Sequence, residues 1–242
     1  MESFLDRSKD ADLDQLVKEL AGRLHGNARR SLRLKAWKLT VIGAYAIKRI
    51  MDIVISGLGL VLLSPLFLLI AIAVKASSRG PVFFKQVRVG RYGRHFIFYK
   101  FRSMRQDAEA QKAALMDKNE SGDGVIFKMK DDPRITKVGK LLRRTSLDEL
   151  PQLWNVFIGD MSLVGPRPPV PSEVEKYTLE DRKRLDVIPG ITCLWQINGR
   201  SEIPFNEQVR LDKEYILAPG IWKDLVILFK TIPAIVGGRG AY

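Results

Sequence analysis

The sequence predicts an α+β protein, mostly helical, that is embedded in a membrane by a helix-break-helix. It carries a small β-hairpin and surface amphipathic helices. Three observations predict this. Residues Ile53–Val74 form a run of 22 residues without a charge, interrupted by Ser64-Pro65. Residues Pro81–Val89 and His95–Arg102 are two aromatic and β-branched runs around a glycine-containing turn. The segment Ile221–Lys230 alternates apolar and polar residues at helical spacing.

The uncharged run is long enough for one spanning helix at about 1.5 Å per residue. It starts too late and runs too long for a signal peptide. Pro65 removes a backbone donor and must bend the helix. Each half is then roughly 15 Å long, enough for one leaflet. Lys48 and Arg49 precede the run, and Lys75 and Arg79 follow it. Positive charge on both flanks disfavours moving either end across the bilayer. A re-entrant helix broken at Ser64 and Pro65 is therefore expected, with a kinked spanning helix as the alternative. Asp52 is expected to pair with Lys48 or Arg49.

Ahead of this run, residues 1–47 read as a basic helical arm. Leu13, Leu16, Val17, Leu20 and Leu24 lie at helical spacing, and Arg29, Arg30, Arg33, Lys35 and Lys38 form a basic patch suited to anionic lipid. The arm reads either as an interfacial helix or as a dimer contact, so a homodimer stays open. The part after residue 79 reads as one catalytic-sized unit, 80–242. In it the hairpin turns at Gly90–Arg94, Gln106–Asp123 is a helix followed by a loop, and Asp132–Thr136 is a turn into a basic helix, Lys137–Arg144. Pro166–Pro171 is extended, and Pro189–Thr192 is a further turn. Trp222 in Ile221–Lys230 suits a membrane interface, although a core-facing helix would show the same pattern.

The whole chain, at 242 residues and 46% apolar, is sized for one globular core. Its net charge of +13 favours an anionic partner. One cysteine and two histidines exclude a disulfide framework and make a histidine-rich zinc site or a histidine triad implausible. The basic patch adjoins an apolar run, which makes lipid a better partner than nucleic acid.

The chemistry concentrates at Arg143-Arg144-Thr145-Ser146-Leu147-Asp148-Glu149-Leu150-Pro151. Two adjacent carboxylates beside fixed cations suit reaction at a phosphorylated substrate, with one acid attacking or coordinating while the arginines hold the anion. Ser146-x-x-Glu149 also fits a helix capping box. Pro151 argues that the helix starts there instead, leaving Asp148 in the preceding turn.

These segments resemble, in order, the monotopic phosphoglycosyl transferases, the bacterial sugar transferases that initiate exopolysaccharide and glycoconjugate assembly. The likeness runs from Lys48-Arg49-x-x-Asp52 through Ser64-Pro65, Gly80–Gly90, Tyr99–Met104, Asp132–Thr136, Ser146–Leu153, Gly159–Pro168, Pro189–Thr192, Trp195-Gln196 and Gly199-Arg200 to Gly240-Ala241-Tyr242.

The resemblance implies transfer of a sugar-1-phosphate from a UDP-sugar to polyprenyl (undecaprenyl) phosphate, releasing UMP. It implies Asp148 as nucleophile, a phosphosugar-enzyme intermediate, and Glu149 as a ligand of Mg2+. Arg143, Arg200, Lys100, Arg102, Arg167, Asp212 and Asp224 fall on the expected substrate and phosphate-binding positions. Inner-membrane lipid would be a partner and the cytoplasmic face of the bacterial inner membrane the location, with a hexose donor, glucose or galactose, favoured. Cys193 stands where the family often has glycine. A non-catalytic basic scaffold on anionic lipid is the competing expectation.

Overall fold

The structure, a computed structural model, describes residues 28–112, 114–115, 120, 129 and 131–236. The leucine pattern of Asp12–Leu24, the Gly240–Tyr242 end and the side chains of Arg29, Arg30, Arg33, Lys35 and Lys38 lie outside the described residues. By compactness the chain divides into Met1–Ile47 and Lys48–Tyr242. The account below concerns the second unit.

The helices are α1 (Ala28–Leu62), α2 (Ser64–Ser77), α3 (Ala108–Lys112), α4 (Lys137–Arg144), α5 (Gln152–Ile158), α6 (Pro171–Val174), α7 (Leu179–Arg182), α8 (Leu194–Asn198), α9 (Phe205–Leu217) and α10 (Ile221–Val236). The strands are β1 (Phe83–Val89), β2 (His95–Phe101), β3 (Ser162–Val164) and β4 (Gly190–Thr192). The architecture is mostly helical with two small sheets. β1 and β2 pair antiparallel, Phe83 opposite Phe101 and Val89 opposite His95.

The expected break is present at Ser64-Pro65, although the helix before it begins well upstream of the uncharged run. Pro65 has no N–H to give the Val61 carbonyl four residues back. The Ser64 hydroxyl donates to that carbonyl instead, at 2.8 Å. The serine thus satisfies the acceptor that the proline strands. Among the described residues no single helix is long and apolar enough to cross a membrane, but the pair Ile42–Leu62 and Ser64–Ser77, bent by 61°, passes together. Its apolar side is bare: Val61, Leu62, Leu68 and Leu69 are all exposed.

The buried side of the pair is tied to the rest of the unit by polar groups. Lys48 Nζ donates to Asp224 (2.6 Å) and to the Val164 carbonyl. Arg49 donates to the carbonyls of Val156 and Phe157 at the end of α5. Asp52 accepts from Ser162 Oγ and the Leu163 N–H. This corrects the expectation that Asp52 pairs with Lys48 or Arg49: β3 supplies its donors.

Two of the apolar clusters join the elements that carry the site. One joins the hairpin, α5, β3, α9 and α10 through Phe96, Phe98, Val156, Leu163, Val164, Tyr215 and Ile227. The other joins α2, β2 and α4 through Ile70, Val74, Phe101 and Leu142. Pro189–Thr192 is not merely a turn. Gly190–Thr192 forms β4, parallel to β3. A Cβ on Gly190 would collide with the backbone of Gly165, so a side chain there would push the two segments apart. α10 buries Asp224 and Ile227 and exposes Trp222, Phe229 and Ile232.

Candidate active site

Three local features build the site. α4 is capped by Thr136, whose side chain accepts from the Gly139 N–H. Gly139 lies against the Ser103 backbone too closely for a Cβ, which lets α4 approach the end of the hairpin. After α4, Ser146 adopts a left-handed conformation (φ 55°), and Leu147–Glu149 form a single 3-10 turn. Ser146 makes no side-chain cap bond, so the capping-box alternative does not hold. α5 follows directly after Pro151, close to the expected start.

The turn buries Asp148, 5% exposed, rather than leaving its side chain free. Lys100 from β2 lies between the two acids, 2.6 Å from Glu149 Oε1 and 3.6 Å from Asp148 Oδ2. Arg167 Nη2 reaches the same Glu149 oxygen at 3.1 Å. Arg143 donates to Ser103 Oγ (3.0 Å) and Arg200 to Ser146 Oγ (3.0 Å). Arg200 also has a positive φ, 54°. The two left-handed residues therefore meet through one hydrogen bond, and such strain persists only where surrounding contacts hold it.

Positioning groups that the sequence reading missed support these side chains. Asn155 accepts from the Tyr99 N–H (3.2 Å) and donates to the Ile97 carbonyl (2.7 Å). It behaves like a short strand on the edge of β2 and fixes Lys100 over the 3-10 turn. Arg88 donates to the Pro168 carbonyl, holding the loop that carries Arg167. Neither role has a local sequence signature, because each joins segments more than fifty residues apart.

The electrostatics separate the two acids. Burial raises the Asp148 carboxyl above its ordinary range, with Lys100 opposing it and Glu149 adding to it. Burial also disfavours ionised Glu149, but Lys100 and Arg167 outweigh that and hold it well below the usual range. Glu149 is therefore fixed as an anion, while Asp148 is the more basic carboxylate. Burial lowers Lys100 and Arg143. A cleft of about 950 Å³ opens over this floor, lined by Arg88, Lys100, Arg134, Arg143, Arg167 and Arg200 with Asp148 and Glu149. Such a site can hold a diphosphate and present a carboxylate to one of its phosphorus atoms.

Three residues expected at the site, Arg102 and the two further acids Asp212 and Asp224, are engaged by other parts of the fold. Arg102 borders the cleft, but its guanidinium donates to the Pro81 and Ser78 carbonyls and to Ser78 Oγ just beyond α2. In this structure it closes the end of that helix. Asp212, 1% exposed, is paired with Arg184 at 2.7 Å. Asp224, also 1% exposed, is held by Lys48 and Tyr215. Neither acid lines the cleft. Their partners lie on α1, α9 and the segment after α7. Cys193 is buried, its thiol raised by that burial and lying 3.1 Å from Gln196 Oε1.

No group of three metal-ligating side chains occurs among the described residues. The Asp148–Glu149 pair nevertheless suits Mg2+, which is commonly held by one or two carboxylates plus substrate phosphates rather than by a full protein cage.

The profile of the bacterial sugar transferase family matches residues 43–238. The galactosyl transferase CpsE of Streptococcus agalactiae is 49% identical over 195 residues, 80% of this chain and 43% of CpsE. The exopolysaccharide production protein ExoY of Rhizobium meliloti is 42% identical over 204 residues, 83% of this chain and 90% of ExoY. The UDP-glucose:undecaprenyl-phosphate glucose-1-phosphate transferase of Klebsiella pneumoniae is 47% identical over 193 residues, 76% of this chain and 39% of the relative. The chain thus spans less than half the length of the first and third.

Proposed function

The chain belongs to the bacterial sugar transferase family, and on that premise we propose that it moves a sugar-1-phosphate from a UDP-sugar to undecaprenyl phosphate and releases UMP. The observation that carries this reading is Asp148, buried at the floor of a cation-lined cleft beside a Glu149 whose charged form Lys100 and Arg167 favour. The Klebsiella relative is named for this reaction with glucose and the streptococcal one is named a galactosyl transferase, so UDP-glucose and UDP-galactose are the first donors to test.

The site geometry supports the following steps. An Asp148 carboxylate oxygen attacks the phosphorus that bears the sugar. The bond from that phosphorus to the UMP oxygen breaks, and UMP leaves with the electron pair. The acyl phosphate so formed is reactive enough to pass the group on. A phosphate oxygen of the polyprenyl acceptor then attacks the same phosphorus, and Asp148 is released as a carboxylate. Arg143, Arg167 and Arg200 neutralise the phosphates, and Lys100 keeps the adjacent acids compatible. Glu149, with Asp148 beside it, would hold Mg2+, which when bound supplies further neutralisation of the diphosphate.

The bent pair α1–α2 would enter the cytoplasmic leaflet of the inner membrane and return. The exposed apolar residues of α2 and the exposed Trp222 and Phe229 of α10 support that reading, because a soluble surface rarely leaves such area bare. The test is UMP release by purified protein with undecaprenyl phosphate, Mg2+ and a panel of UDP-sugars, beside Asp148→Asn. Release with one donor, abolished in the variant and by a chelator, is expected. No release from folded protein with any donor would overturn the assignment.

A further inference from the structure

α4 has two faces that do different things. Val138 and Leu142 pack with Ile70 and Val74 of α2, and Arg143 turns into the cleft. Gly139 packs on the Ser103 backbone, and the other residues, Lys137, Lys140, Leu141 and Arg144, stand at i, i+3, i+4 and i+7 and therefore share one side of the helix. All four are exposed, Leu141 by 61%. Lys140 has an acid nearby, Asp131 at 4.0 Å, but both side chains are more than four-fifths exposed and the pair is screened. Lys75 and Arg79, at and just beyond the end of α2, are exposed as well. A large apolar side chain standing out among three cations, on a helix packed against the last turns of an apolar helix, is the pattern of an interfacial helix rather than of a solvated one.

We propose that this face of α4 docks on anionic phospholipid headgroups where α2 returns from the bilayer. The inference rests on the membrane reading of α1–α2 and adds the surface that sets the catalytic unit against the membrane. The cations sit within the reach of a negative leaflet, and Leu141 enters the acyl boundary between them. Because Arg143 is on the same helix, this contact holds one wall of the cleft at the level of a lipid-borne phosphate. The occupant is a phospholipid headgroup rather than the acceptor, since the face points away from the cleft that holds Asp148.

The full chain can report on this through an environment-sensitive bimane label. Cys193 is 1% exposed and is the one native thiol, so Leu141→Cys provides the reactive site. The labelled protein is placed in nanodiscs of phosphatidylcholine alone and of an equimolar mixture with phosphatidylglycerol. A blue shift at position 141 is expected in the mixture. It should be weak in phosphatidylcholine, diminished by added salt, and lost when Lys137, Lys140 and Arg144 are all changed to Gln. An identical spectrum in both lipids, or a shift that survives in the triple variant, would overturn the proposal. A second label at Leu69→Cys on α2 separates the two ideas. It should be blue-shifted in both lipids, and its failure would bring down the membrane reading itself. Circular dichroism of each variant verifies that the fold is retained.

Discussion

Four of the inward-facing acids in this unit divide into two kinds. Asp212 and Asp224 each have their own cation: Arg184 for the first, Lys48 for the second, both close enough to hydrogen-bond. Asp148 and Glu149 share theirs. Lys100 bonds Glu149 at 2.6 Å and stands 3.6 Å from Asp148, and Arg167 also goes to Glu149. Glu149 is thus doubly served and Asp148 is left with a distant charge. Burial alone does not mark a reactive acid. An acid that borders a cleft and lacks a close cation of its own is a better candidate, because its charge is still available for chemistry.

The largest expected effect tests that difference. Asp148→Asn should lower UMP release by at least about 10³-fold, since the nucleophile is gone. It should also raise Tm at neutral pH. The raised carboxyl of Asp148 favours the protonated form in the folded protein, so its contribution is full below the unfolded value of about 3.9 and is lost as pH rises through the folded value. Asn stays neutral throughout. The Tm gain over wild type should therefore shrink as pH falls towards 4, a trend that scanning fluorimetry across pH would read. An Asn variant less stable than wild type at neutral pH would mean that Lys100 serves Asp148 better than its distance implies.

Burial raises the Asp212 carboxyl too, to about 6, but its charge is in direct contact with Arg184 at 2.7 Å, so Asp212→Asn should act in the opposite sense. It leaves Arg184 buried without its counter-charge, and such a loss costs about 3–5 kcal/mol. Chemical denaturation should show it, while UMP release per folded molecule is retained. Arg102→Met comes next, at about 2–3 kcal/mol, because the carbonyls beyond α2 lose charged donors. An Arg102→Met protein with unchanged Tm and a raised donor KM would restore the phosphate-binding role that the sequence suggested.

These pairings show where the sequence stops being informative. The break at Ser64-Pro65, the hairpin around Gly90–Arg94 and α4 over Lys137–Arg144 are written in adjacent residues, and the structure reproduces them. Arg143, Asp148 and Glu149 come together because one short turn joins them. Arg102, Asp212 and Asp224 fall among the expected site residues through the resemblance, not through any local signal in the chain. Residue type does not reveal that a charge is already committed to Arg184, 28 positions away, or to Lys48, 176 positions away. The β3–β4 ladder stayed hidden for the same reason: Pro189-Gly190 reads locally as a turn, and only Ser162–Val164 makes it a strand.

The smallest effect is expected at Asp224, and it refines the comparison most. Asp224 accepts from Lys48 at one oxygen and from Tyr215 at the other. Asn keeps an acceptor for Tyr215, and Lys48 keeps the Val164 carbonyl. Lys48 is also 22% exposed at its side chain, so water relieves part of the lost charge pairing. Asp224→Asn should therefore cost only about 1–2 kcal/mol, less than half the cost at Asp212. A double-mutant cycle with Lys48→Met should assign most of that loss to the pair. A cost equal to that of Asp212→Asn would mean that the link between α1 and α10 is as closed to water as the Arg184 site, and that partner count, not exposure, ranks the structural acids of this fold.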